Sequence, residues 1–232
     1  MEFHRKICNK VKSSLINSVV NNNNNGLLVD LCSGRGGDIF KWDKAGIKRV
    51  VAFDNHKESV IEAISRYKKS KVKTKISFNL KDVADVDLCK ELGQKVSLIS
   101  CQFALHYFCL ETLLYKVSES LVSGGFFFGV VPDGDIIDNC LKHNKFVNNV
   151  CLERIDANSY YIDLVDDSQN NKTKDYFEFK GKSSENMIRK QDLIDIGSKF
   201  GLELVKIENL KHNWGGNHIS ELYFSFKFIK IL

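Results

Sequence analysis

Residues 27–38, Leu-Leu-Val-Asp-Leu-Cys-Ser-Gly-Arg-Gly-Gly-Asp, constrain the fold of this chain more than any other stretch. A short apolar run that closes on a carboxylate and then a glycine cluster reads as a buried strand, a tight turn and the start of a helix. Glycine suits the turn because a side chain would hold the backbone away from a ligand, and because positive φ costs it almost nothing. Such turns lie at the carboxyl end of a strand, where open α/β sheets bind their ligands. Asp54 closes the next apolar run, Arg-Val-Val-Ala-Phe-Asp. A carboxylate at the tip of a second strand can accept from both hydroxyls of a ribose, so turn and acid together point to a nucleoside.

Charge selects among nucleosides. A dinucleotide fingerprint needs a third glycine where this chain has Ile39. Asp30 and Asp38 flank the turn and would repel a pyrophosphate, whereas S-adenosyl-L-methionine carries a sulfonium and an ammonium and no phosphate. These residues favour the methyl donor over a nicotinamide dinucleotide.

The 232 residues are enough for one domain with a substantial core, read here as a cofactor-binding core with an N-terminal helix over 1–134 and a lobe with closing strands over 135–232. A formal net charge of +5 permits an anionic partner without requiring one. Seven cysteines without a Cys-x-x-Cys pair fit reduced thiols better than a disulfide framework or a zinc site. Cys101 and Cys109 sit in apolar sequence and read as buried, inert thiols. No apolar run nears the roughly 20 residues of a membrane span and no signal-peptide core is present, so a soluble intracellular protein is expected.

In chain order, apolar residues at near-helical spacing predict an amphipathic helix over 1–20, broken by five asparagines at 21–25. A helix over 38–44 ends at Gly46, and a strand follows at 48–54. Val60, Ile61, Ile64 and Tyr67 mark the buried face of the next helix. Further strands are expected at 75–80, 96–101 and 126–131, with a helix from Leu110 to the Gly124-Gly125 pair before the last of them. Asp82, just past the third strand, can meet an adenine amine or stand in solvent. This βαβ alternation predicts an α/β fold with a doubly wound, mostly parallel sheet. Beyond Gly134, short strand candidates at 146–152, 160–165 and 176–180 predict a small antiparallel lobe over the crevice. A helix over 184–200 is expected, with Ser183 or Ser184 as N-cap and Glu185 in its first turn. Two antiparallel strands, 202–210 and 219–228, would close the sheet.

One string goes beyond composition: Ser-Cys-Gln-Phe-Ala-Leu-His-Tyr at 100–107. Together with 30–38 and Val-Pro-Asp-Gly at 131–134, it resembles the messenger RNA cap guanine-N7 methyltransferase family. The resemblance extends through Asn-Lys-Val-Lys-Ser-Ser-Leu-Ile at 9–16, 59–67, 185–202 and Tyr-Phe-Ser-Phe-Lys-Phe-Ile-Lys at 223–230. It implies a Rossmann-like S-adenosylmethionine-dependent methyltransferase fold whose antiparallel lobe binds the cap. It departs from the family pattern at Cys32-Ser33, where Gly-Cys is usual, at Arg35, where lysine is usual, and at Asn55-His56, which replace a more apolar pair.

The resemblance implies cofactor positions at Lys12, the backbone of Cys32, Asp54, Asp82, Gln102 and Tyr107, in a pocket shaped by Asp30, Gly34 and Asp38. It implies Asn9 at the cap entrance and Arg35, Lys41 and Arg66 near the phosphates and ribose. His106, Glu185 and Tyr223 match residues around the guanine, and Phe103, Tyr107 and Pro132 the apolar wall beside it. Taken without the family, His106 reads as a packed histidine and Glu185 as a first-turn acid. The implied reaction is methylation of guanine N7 of a GpppN end, by in-line attack with no general base, since N7 carries a lone pair and no proton. Implied too are a capped mRNA 5′ end as partner, action in the nucleus, with the cytoplasm as the alternative, and a monomer working beside guanylyltransferase, triphosphatase or RNA polymerase. A methyltransferase of another substrate class and a non-catalytic cap-binding partner are the alternatives.

Overall fold

A computed structural model describes residues 2–20, 27–145, 147, 150–164, 182–210 and 219–231. Helix α1, Glu2–Val20, precedes strand β1, Leu27–Asp30. Then come α2 Ile39–Lys44, β2 Arg49–Asp54, α3 Lys57–Lys69, β3 Lys75–Leu80, α4 Leu88–Leu92 and β4 Val96–Gln102. A 3₁₀ turn at Leu105–Tyr107 leads to α5 Leu110–Ser120, β5 Leu121–Pro132, α6 Gly134–Lys142, β6 Val150–Arg154, β7 Ser159–Leu164 and β8 Ser183–Asn186. The chain closes with α7 Lys190–Lys199, β9 Leu202–Asn209, a 3₁₀ turn at Ile219–Leu222 and β10 Tyr223–Lys230.

Seven strands form one sheet in the order β3-β2-β1-β4-β5-β10-β9, and β6-β7-β8 form a second. Pairings from β3 through β5 are parallel, β10 is antiparallel to both its neighbours, and the small sheet is antiparallel throughout. This is the expected doubly wound, mostly parallel sheet with an antiparallel lobe. Strand order reverses between β1 and β4, so the crevice for a ligand opens at their carboxyl ends.

Alternation along the strands divides the core in two. Leu28, Leu98, Phe126, Phe128 and Val130 face α1, α2 and α6, while Val29, Ile99, Phe127 and Val131 face α5 and α7. Burial on both faces is why 126–131 contains no charge. Among the described residues no helix is long and apolar enough to cross a membrane.

Several local expectations are corrected. The stretch expected to open a helix at 184 is instead β8, and α7 starts at Lys190. Ser183 and Ser184 therefore cap nothing: hydrogen bonding to β7, with Tyr160 opposite Glu185, outweighs their capping preference. Helix α5 ends at Ser120 rather than at the glycines, because β5 begins at Leu121 and Gly124, at φ 76°, lies within an irregularity of the β4–β5 pairing. Ile61 is exposed, and Ala63 takes its place on the buried face of α3. Cys101 is buried, but Cys109 is exposed next to α5, where the Thr112 hydroxyl and backbone amides lower its thiol pKa. Helices α4 and α6 were not anticipated. In the lobe, the strand sought at 146–152 lies at Val150–Arg154, and the last strand is preceded by a 3₁₀ turn over Ile219–Leu222. The candidate strand 176–180, the asparagine tract and the connection 211–218 lie outside the described residues.

Candidate functional site

The glycine turn joins the tips of β1 and β2. Ser33 N–H donates to the Phe53 carbonyl at 2.9 Å and Gly34 N–H to Asp54 Oδ2 at 2.8 Å, while Asp54 Oδ1 accepts from His56 N–H at 3.0 Å. The turn thus fixes the carboxylate expected to hold a ribose. Gly36, at φ 70°, has a second reason to be glycine: a Cβ would come within 2.7 Å of Ile39 Cδ1 and 3.2 Å of Ala63 Cβ. Asp82, past β3, accepts from Asn55 Nδ2 at 2.8 Å and from Ala84 N–H at 2.9 Å. Asn55, a departure from the family pattern, is thereby tied to the neighbouring acid.

Behind the turn stand two buried carboxylates. Asp30 accepts a hydrogen bond from the Ser100 hydroxyl. Burial, with Asp38 and Asp54 nearby, pushes its pKa up to about 7 against the opposing pull of Ser100 and Lys12. Burial acts on Asp38 in the same direction, but Lys12 Nζ and Lys41 Nζ, each 2.8 Å from Oδ1, hold its pKa below the usual range. Lys12 comes from α1, so the N-terminal helix is clamped onto the crevice.

The segment after β4 supplies the next wall. Gln102 is buried, and both atoms of its side-chain amide have no hydrogen-bond partner among the described residues. A buried amide in this state needs a partner that a ligand can provide. Phe103 follows at φ 59°, a conformation a bulky residue adopts only when held there. Its N–H donates to the Val130 carbonyl at 2.7 Å, and its ring meets Tyr223 edge-on, centroids 5.2 Å apart.

His106, in the 3₁₀ turn, is 3% exposed, with Nε2 3.5 Å from Glu185 Oε1 but neither ring nitrogen hydrogen-bonded among the described residues. Burial lowers its pKa, only partly offset by Glu185, so the ring is neutral at physiological pH. Glu185 Oε2 accepts from the Tyr160 hydroxyl at 2.6 Å. Asn186 Nδ2 donates to the His106 carbonyl at 2.9 Å, so β8 holds the 3₁₀ turn in place. Tyr107, next in the turn, is half-exposed, its ring tilted against that of His106 with centroids 4.1 Å apart, and partial burial together with Glu185 raises its pKa. Tyr223 opens β10 opposite Pro132 of β5 and packs on the His4 ring at 5.6 Å.

Three clusters therefore emerge. Asp30, Cys32, Gly34, Asp54, Asp82 and Gln102 line the crevice at the ends of β1, β2, β3 and β4. Phe103, His106, Tyr107, Pro132, Glu185 and Tyr223 assemble beside it from four separate segments. Arg35 and Arg66 meet on Glu62, at 3.4 and 2.9 Å. Lys41 does not join them but turns to Asp38 and the Gly37 carbonyl. Asn9 is half-buried on α1, one turn before Lys12. Sequence reasoning missed Tyr160, Asn186, Asn55 and the His4–Ser220 pair behind Tyr223, where His4 Nδ1 lies 2.8 Å from Ser220 Oγ. Each is a polar residue in ordinary surroundings, and nothing in its spacing marks its partner.

The fold is that of S-adenosylmethionine-dependent methyltransferases. One such enzyme from Clostridium acetobutylicum superposes with a TM-score of 0.65 at 16% identity, over 95% of this chain and 91% of that one. Two curated relatives bear the name mRNA cap guanine-N(7) methyltransferase. The Caenorhabditis elegans protein is 37% identical over 64% of this chain and 44% of its own length, and the Drosophila melanogaster protein 29% identical over 94% and 58%. The chain thus spans about half the length of these relatives. The sequence model of the mRNA (guanine-N(7))-methyltransferase domain matches residues 2–218, and the chain belongs to that family.

Proposed function

We propose that the chain transfers the methyl group of S-adenosylmethionine to N7 of the terminal guanine of GpppN-capped RNA. The observation that carries this reading is the pair of buried, unpartnered polar side chains, Gln102 at the carboxyl end of β4 and His106 beside Glu185. A buried amide and a buried imidazole without partners call for polar ligands beside them.

The donor set fits the cofactor: Asp54 for the ribose, Asp82 and Gln102 for the adenine end, and Asp30, backed by Lys12 and Asp38, for the ammonium. When bound, the cofactor supplies an electrophilic methyl on a sulfonium, already a good leaving group. The residues of this chain bind and orient. Glu185 accepts from guanine N1–H and its amino group, His106 donates to O6, and Tyr223, Phe103 and Pro132 hold the ring plane. Arg35 and Arg66 meet the triphosphate, with Asn9 at the entrance, while Lys41 stays on Asp38. Guanine N7 has a free lone pair, so no side chain takes a proton. Alignment of nucleophile, methyl and leaving group can account for roughly 7–11 kcal/mol of rate enhancement at its upper end. The carboxylate of Glu185 adds stabilisation of the positive charge that grows on the purine. Action on nascent transcripts in the nucleus, beside the enzymes that build the cap, belongs to the same proposal.

Labelled S-adenosylmethionine and GpppG should yield 7-methylguanine product. Glu185→Ala, His106→Ala and Tyr223→Ala should each lose transfer while retaining cofactor binding. Transfer by Glu185→Ala at the parent rate would show the guanine pocket to be misplaced.

A further inference from the structure

Next to the paired arginines a shallow groove of about 340 Å³ runs between α2 and α3, lined by Phe40, Glu62, Ser65, Arg66, Lys69 and Ser70. Phe40 is the most exposed large apolar side chain among the described residues, at 60%. Its neighbours Ile39 and Trp42 fill the buried side of α2, so the helix leaves this ring on the open side. A single exposed aromatic is ordinary by itself. This one, however, stands in a groove with a basic rim.

The charge balance of the rim favours a polyanion. Glu62 is the acid of the groove, and Arg35 and Arg66 both pair with it. Beyond it α3 ends in Arg66, Lys68 and Lys69, and the exposed Lys71 and Lys73 follow. A flat ring beside cations is what single-stranded nucleic acid uses: a base stacks on the ring and phosphates lie along the charges. The groove also includes Arg66, which shares Glu62 with Arg35, the two arginines proposed for the cap triphosphate. An RNA chain leaving that triphosphate on their side reaches Phe40 next.

We propose that the α2–α3 groove holds the transcript just downstream of the cap, with a base stacked on Phe40 and phosphates against Lys69. This rests on the cap reading above and extends it from the cap to the RNA body. Its consequence is a preference for capped RNA over a bare cap dinucleotide.

The test compares GpppG with a capped, unstructured RNA of about 16 nucleotides, the upper size of a single-strand site. The parent should show a lower KM for the longer substrate. Phe40→Ala should raise that KM about five- to a hundredfold, the loss of one base stack, with kcat and the KM for GpppG unchanged. Lys69→Glu should raise it too and make it less steeply dependent on salt. Uncapped RNA of the same length should bind the double variant more weakly than the parent in fluorescence anisotropy. Equal KM values for the long RNA in parent and double variant would overturn the proposal, as would a parallel rise for GpppG. A parent that methylates neither substrate overturns the cap reading instead, and the anisotropy measurement then still decides whether the groove binds RNA.

Discussion

The Tyr160 hydroxyl donates to Glu185 Oε2 across 2.6 Å, from residues that face each other in the β7–β8 register. Glu185 Oε1 is left toward His106. The small sheet therefore aims one carboxylate oxygen and anchors the other. Tyr160→Phe keeps the ring and removes only the donor. A hydrogen bond to a charged group contributes about 1.5–3 kcal/mol, so the KM for cap should rise by about ten- to a hundredfold with cofactor affinity unchanged. Steady-state kinetics and cofactor titration of the variant check both.

Asp30 ties the crevice to pH. With its pKa up to about 7, a fraction of the carboxyl is protonated near neutrality. A cationic cofactor draws the proton off, so affinity for S-adenosylmethionine should rise with pH through about 7 and then level off. Asp30→Asn should weaken binding and flatten that profile. The sign for stability is opposite. The folded chain holds this proton more tightly than the unfolded chain, so the stability it confers is complete below the ordinary carboxylate pKa and is lost as pH climbs through about 7. Without cofactor, the asparagine variant should melt higher than the parent above neutrality. Calorimetric titrations and melts across pH measure both effects.

Asp133 is fully buried and serves three elements at once. Oδ2 accepts from Lys190 of α7 and, at 2.8 Å, from Asn209 Nδ2 of β9, while Oδ1 caps the first N–H groups of α6. Asp133→Ala should destabilise by about 2–4 kcal/mol, because it strands Asn209, weakens the hold on the partly exposed Lys190 and removes a cap. Denaturant unfolding gives the difference, with Asp133→Asn expected to recover part of it.

Gly129 sits where β4 and β5 press together. A Cβ there would stand 1.9 Å from the Cys101 carbonyl oxygen and 2.9 Å from Phe226 Cζ. No rotamer relieves a clash with backbone, so Gly129→Ala should cost about 3 kcal/mol or more and leave little soluble protein. The melting temperature of whatever remains soluble reports the loss.

The parts of this protein that follow local rules were legible early. Strands β1 to β5 announce themselves by apolar runs, and the glycine turn with Asp54 marks the crevice, because both depend on neighbours in sequence. Residues 183–186 were misassigned for the complementary reason. Two serines before an acid favour a helix start locally, but the partner that makes them a strand is β7. Cys109 looked buried from its neighbours and is exposed because the chain turns outward into α5.

The sequence by itself determined the doubly wound sheet, the crevice at its switch point and the residue types that suit a sulfonium nucleoside, since these rest on periodicity, glycine and charge within short windows. Only the tertiary structure decided that Tyr160 orients Glu185, that Lys12 and Lys41 both serve Asp38, and that Arg35 and Arg66 share Glu62. Those pairings join side chains from separate elements. Their geometry follows from how the sheets and helices pack, which no short window of sequence records.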